Sequence, residues 1–178
     1  MYIGANCGVG VVDGTMLALA GLTRLGMFDV INDSYVVSWD EMLPAVAQGA
    51  IGIQYRTGDE SIFEYVAPLN RDKTKLAVEC ERAFLARLDG NCRTPIAGQA
   101  YFKEGRDRLV LKGMISKPDG TDKIVVEKAA DVESLEQARA LGTAAGDKVR
   151  MLAGDKFAEY QHAVAALSQN GAAASADE

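Results

Sequence analysis

Residues 72–90 read DKTKLAVECERAFLARLDG, and the fold turns on this stretch. Leu76, Cys80, Phe84 and Leu88 recur every four residues, which sets them on one face of a helix. Asp72 or Thr74 can cap its N-terminus through a side-chain oxygen. Gly90 suits the left-handed C′ position that stops a helix. Cys92 comes two residues later, in a predicted loop.

Downstream, Leu109–Ile115 and Ile124–Val126 are β-rich runs separated by Lys117-Pro118-Asp119-Gly120-Thr121. Proline presets φ and glycine accepts a positive φ, so this is an antiparallel hairpin. A second long helix is predicted from about Asp131, with Leu135, Ala138, Leu141, Ala145, Val149 and Leu152 facing inward. A shorter third helix would use Phe157, Tyr160, Val164 and Leu167. Helix, strands, then helix is an α+β layer, a small antiparallel sheet with helices on one face. Residues 61–167 therefore read as one small domain. The tail 168–178, SQNGAAASADE, lacks the large apolar side chains needed to fold.

Upstream, Met16–Leu19 reads as a buried strand and Gly21–Gly26 as a turn or helical turn. Asp40–Leu43 reads as one helical turn capped by Asp40 before Pro44, and Ile51–Tyr55 as a second strand. Two strands cannot bury both faces of a sheet, so residues 1–60 read as the incomplete end of a larger α/β domain. The expected fold class is α/β followed by α+β.

Composition sets the outer limits. Of 178 residues 48% are hydrophobic and 25% charged, enough for a proper core, which excludes wholesale disorder. Nineteen basic against twenty-five acidic residues give a net charge of −6, which argues against a general nucleic-acid or anionic-membrane surface. A small anion held by a local arginine cluster stays open. No apolar run approaches the ~18 residues that span a bilayer. The opening MYIGANCGVGVVDG has no basic n-region and no Arg/Ser-rich pattern, so no targeting peptide is read in it. Three cysteines (Cys7, Cys80 and Cys92) are an odd number at irregular spacing, against a disulfide framework. With one histidine, His162, and no C-x-x-C pair, no metal site is expected.

Few residues offer chemistry. Gly4–Gly10 lacks the G-K-[ST] ending of a phosphate loop and reads as a plain glycine-rich loop. Cys80, on the apolar face, reads as a small core hydrophobe. Around Cys92, the cations Arg93, Arg82 and Arg87 favour the thiolate, while the C-terminal end of the helix opposes it. A reactive thiol and an incidental loop cysteine are both compatible with that setting. Arg24 follows the first predicted strand, where ligands of open α/β sheets bind, and is either an anion ligand or a solvated turn residue. Gln48-Gly49 precedes the second, with a glycine that allows close backbone approach.

Four stretches, in order, resemble the porphobilinogen deaminase (hydroxymethylbilane synthase) family. They are Leu17–Gly26 (LALAGLTRLG), Glu41–Ile53 (EMLPAVAQGAIGI), Cys80–Leu85 (CERAFL) and Leu88–Gly98 (LDGNCRTPIAG), with the Pro118-Asp119-Gly120 turn beyond them. The wording AVAQGAIGI and CRTPIAG is similar to the plastid branch, while Tyr55 before Arg56 departs from the usual pattern. The resemblance implies that a periplasmic-binding-protein-like α/β domain ends within residues 1–60, followed by a cofactor-anchoring domain over 61–167. It implies a transferase that polymerises porphobilinogen to a linear tetrapyrrole with release of ammonia. Cys92 matches the cysteine that carries the dipyrromethane cofactor as a thioether. Arg24 matches an arginine that binds pyrrole carboxylates, and Leu17, Ala18, Gln48 and Gly49 match cofactor-cleft positions. The implied partners are porphobilinogen and the growing polypyrrole, with no nucleic acid or membrane, in a protein monomeric at full length. Plastid is the implied location, with cytoplasm as the alternative. The family's catalytic aspartate belongs to a first domain without counterpart here, and Asp13 is no substitute, so no catalytic residue is expected in this chain. It reads as the inactive C-terminal portion of such an enzyme, with a non-catalytic binding module as the rival reading.

Overall fold

The computed structural model describes residues 15–27, 34–90, 94–105, 107–117 and 119–160. The chain divides into two compact units, Met1–Met42 and Leu43–Glu178. Cys7, Cys92, Arg93, Pro118 and His162 lie outside the described residues, as do Asp13, Val164, Leu167 and the tail.

In the first unit the predicted strand Met16–Leu19 does not form, and the helix lies over the stretch read as a turn or helical turn. Met16 makes only an isolated bridge, and α1 spans Leu19–Arg24. Leucine and alanine are good helix formers, and a short apolar run does not by itself distinguish strand from helix. α1 closes with paired backbone bonds, Met27 N–H to Leu22 O at 3.0 Å and Gly26 N–H to Thr23 O at 3.2 Å. Gly26, at φ +62°, takes the left-handed position these bonds require. The turn before Pro44 starts two residues earlier than expected. Ser38, not Asp40, accepts the Met42 N–H at 3.0 Å, and Glu41 reaches back to the Ser38 N–H and hydroxyl, both at 2.8 Å. Two bonds from Ser38 to the Glu41 carboxylate thus tie the two ends of this turn together.

The second unit holds a three-stranded antiparallel meander: β1 (Ile96–Phe102), β2 (Arg108–Ser116) and β3 (Lys123–Asp131). α2 (Glu60–Val66) precedes α3 (Asp72–Arg87), and α4 (Leu135–Ala153) follows the sheet. α3 and α4 pack on each other and on one face of the sheet, over a single core that includes Cys80, Phe84, Leu88, Leu109, Leu111, Ile115 and Val149. This is the expected small antiparallel sheet with helices on one side.

Three details differ from the sequence reading. Residues 51–56 join no sheet, and Ile51 and Ile53 are 86% and 52% exposed. An apolar run becomes a strand only beside a hydrogen-bonding neighbour, and no described residue of this unit pairs with it. β1 escaped the reading because IAGQAYF is rich in alanine and glycine, residues poor in strand propensity. In α4 the inner face takes Gly142, Gly146 and Ala153, while Leu152 is exposed. The helix also begins later, because Asp131 ends β3 and Ser134 forms a capping box with Gln137.

Both ends of α3 also depart from expectation. Arg71 is the N-cap and makes no side-chain cap bond, leaving Asp72 as a first-turn acid. At the C-terminus Asp89, not Gly90, is left-handed at φ 51°, and Gly90 N–H closes the motif on Leu85 O at 3.0 Å. A Cβ at Gly90 would lie 2.5 Å from Leu85 Cδ1, so a larger residue there would displace the Leu85 side chain. Arg150 of α4 steadies this end, with its Nε donating to Arg87 O at 2.7 Å and its Nη2 bonding Asp89.

The α3–α4 crossing depends on the absence of side chains. A Cβ on Gly142 would sit 2.0 Å from Cys80 O, and one on Gly146 would sit 2.6 Å from Arg87 Cβ. Gly142→Ala must therefore push the helices apart and should destabilise the fold by at least the ~1–3 kcal/mol typical of overpacking. Urea denaturation of the variant against the parent chain checks this, with a lower midpoint at unchanged slope expected.

Candidate functional site

The site residues fall in both units. In the first, Ala18 is the N-cap of α1, Leu17 precedes it, and Arg24 is its last residue. All three are exposed. Six residues of helix rise roughly 9 Å, so the structure sets Arg24 at the opposite end of α1 from Leu17 and Ala18.

In the second unit Gln48 and Gly49 form the tip of a double turn. Gln48 N–H donates to Ala45 O at 3.0 Å and Ala50 N–H to Ala47 O at 3.1 Å. Gly49, the third residue of the second turn, takes φ +85°, a value glycine adopts without strain. A Cβ on Gly49 would meet nothing within 4 Å, so this backbone faces open space. Ala47 also has a positive φ, 60°, a conformation that costs an L-residue about 1–2 kcal/mol.

One carboxylate holds that turn. Glu81 of α3 is 3% exposed and is the one buried charged residue among those described. Its Oε2 accepts the Ala47 N–H at 2.5 Å and its Oε1 accepts the Ala100 N–H of β1 at 2.6 Å. Burial raises the Glu81 carboxyl above the ordinary range, and the Ala100 and Ala47 amides pull it back down. Beside it, Gly98 N–H donates to Pro44 O at 3.0 Å. Thus two outward amides of edge strand β1, those of Gly98 and Ala100, are taken by Pro44 and by Glu81, which fixes residues 44–50 against α3 and β1.

Two clefts flank the turn. The smaller, about 350 Å³, lies between Ala47–Ala50, the first half of α3 and Gln99–Phe102, with Glu81 in its wall. The larger, about 800 Å³, runs along residues 49–55 and has Arg71, Lys75 and Arg82 among its lining. Apolar walls with guanidinium and ammonium groups suit a flat ligand that carries carboxylates.

Sequence reasoning missed Glu81. The available signal was its spacing, four after Ala77 and three before Phe84, which puts a charge on the buried side of α3. Cys80 sits where expected, fully buried, and burial followed by the neighbouring Glu81 charge raises its thiol to about 12.

Comparison with known proteins gives both units a common origin. Residues 6–64 match the family model described as "Porphobilinogen deaminase, dipyromethane cofactor binding domain". Residues 75–151 match the one described as "Porphobilinogen deaminase, C-terminal domain". The chain is 46% identical over 149 residues to the chloroplastic porphobilinogen deaminase of Pisum sativum, covering 83% of this chain and 39% of the relative. It is 52% identical over 113 residues to that of Oryza sativa subsp. japonica, covering 63% and 30%. These matches define a protein assembled from a cofactor-binding domain and a separate C-terminal domain. The chain belongs to the porphobilinogen deaminase family.

The buried Cys80 should be inert. Iodoacetamide at about pH 8.5 should leave it unmodified in the folded chain and alkylate it after denaturation, read by peptide mass. The sign for stability follows from the same shift. An unfolded chain ionises this thiol near its ordinary value while the folded one keeps the proton, so stability should fall as pH rises from 9 towards 12.

Proposed function

We propose that this chain is the C-terminal portion of a porphobilinogen deaminase (hydroxymethylbilane synthase), the transferase that joins porphobilinogen units into a linear tetrapyrrole with release of ammonia. The observation that carries this reading is that two models of that one family match the chain in succession, over residues 6–64 and 75–151. Residues 1–60 are read as the end of a periplasmic-binding-protein-like α/β domain, 61–167 as the cofactor-anchoring domain and 168–178 as a tail. The exposure of Ile51, Ile53 and Tyr55 supports the first assignment, since a sheet supplied by a longer chain would cover them. The chain spans 30–39% of the length of the relatives it matches.

In this reading Cys92 anchors dipyrromethane through a thioether. That group, when bound, supplies the free pyrrole carbon from which the polymer is extended. Gly49, with no side chain and open space before it, leaves room for a flat ring at the turn. The Gln48 amide offers one donor and one acceptor edge. Arg24 presents a planar guanidinium for an acetate or propionate carboxylate. Leu17 and Ala18 give the apolar part of the cleft. No catalytic residue is assigned to these 178 residues, because the family's catalytic aspartate has no counterpart among them. Porphobilinogen and the growing polypyrrole are the partners, and the net acidic chain supports a monomer that meets neither nucleic acid nor membrane. The chloroplastic names of both relatives favour a plastid location over the cytoplasm.

The test is the intact mass of the protein from its source, followed by the mass of its Cys92 peptide. A chain much longer than 19.0 kDa with a dipyrromethane adduct on Cys92 is the expected result. In that protein Cys92→Ser should abolish the adduct. A 19.0 kDa chain with a free thiol would instead identify a non-catalytic binding module.

A further inference from the structure

We propose that Glu81 is a positioning residue that holds the Gln48–Gly49 turn in its ligand-ready shape by gripping the backbone of Ala47 from behind. The proposal deepens the functional reading above and rests on it. Glu81 lines the same cleft as Gln48 and Gly49, but its hydrogen bonds go to backbone amides of two separate segments, those of Ala47 and Ala100, at 2.5 and 2.6 Å.

Stability alone does not call for a carboxylate there. An ionisable group buried without an opposite charge is costly, and a neutral or apolar replacement of similar volume is often tolerated or stabilising. What a carboxylate offers is two acceptor atoms and no donor, so it can take an amide on each oxygen. A glutamine in its place keeps one acceptor and turns an N–H pair towards the other amide. Ala47 is the residue that needs the grip, because it is held at φ 60° without being glycine. A strained residue of this kind persists only where its surroundings over-determine it. Releasing the Ala47 amide lets the residue return to ordinary φ, and the tip residues, both exposed, lose their presentation. The outlier, the buried carboxylate and the exposed glycine tip thus form one mechanical chain, from α3 to the ligand side.

The test uses Glu81→Gln, with and without Ala47→Gly, in the full-length protein of which these 178 residues are read as the C-terminal portion. Three quantities are read: the unfolding midpoint, amide hydrogen exchange over residues 45–50, and the fraction of Cys92 peptide carrying dipyrromethane after incubation with porphobilinogen. Glu81→Gln is expected to fold, to speed exchange over the turn roughly tenfold, as loss of one charge-assisted hydrogen bond implies, and to lower the adduct fraction. Ala47→Gly, which accepts the positive φ without strain, is expected to restore adduct in the Glu81→Gln background. A Glu81→Gln chain that does not fold overturns the proposal, as does one whose turn exchanges at the parent rate or whose adduct Ala47→Gly does not rescue. If the parent chain takes up no dipyrromethane the functional reading fails, and the exchange measurement still decides what Glu81 does.

Discussion

A buried carboxylate, with no ion-pair partner among the described residues, organises the second unit. Glu81 joins three pieces that are distant in sequence: the turn at 45–50, the helix that bears it, and the outer edge of β1. An edge strand left with bare amides would invite another chain to pair with it. Here the chain closes its own edge, with Pro44 O on one amide and a glutamate oxygen on the next but one. The same device that satisfies the sheet therefore also sets the turn on it. Burial of that carboxylate is the cost, and the two short amide bonds offset it.

Around this clamp the packing is close to its steric limit. The Phe84 ring lies over β2 at Gly113, where an added Cβ would come within 2.5 Å of the ring. The crossing of α3 and α4 uses Gly142 and Gly146 in the same way. Glycine is costly in a helix, by about 1 kcal/mol relative to alanine, so two of them one turn apart mark a contact where backbone meets backbone. Arg150 then ties the end of α3 to α4 and stacks 4.5 Å from the Phe157 ring.

What could be read in the sequence follows a physical divide. The inner face of α3 was plain from Leu76, Cys80, Phe84 and Leu88, because burial repeats with the helical period. The β2–β3 hairpin was plain from its turn. Features that depend on distant partners were not visible: β1 is a strand because of β2 and Pro44, and Asp89 is left-handed beside an arginine sixty-one residues away. Residues 51–55 look like a strand and are not paired, because pairing is a property of neighbours rather than of the run. For the site, Gln48 and Gly49 were legible as a motif, whereas Glu81 was hidden, since it reads as one more charge on a charged helix.

The sheet's two edges are finished differently. β1 is closed by its own chain, while β3, the other edge, carries Lys123, Glu127, Lys128 and Asp131 along nine residues. Charges of both signs spaced along a strand penalise an incoming strand in most registers. The two edges of this sheet thus give a second copy of the chain little to pair with, one because its amides at Gly98 and Ala100 are already bonded and the other because of its charges.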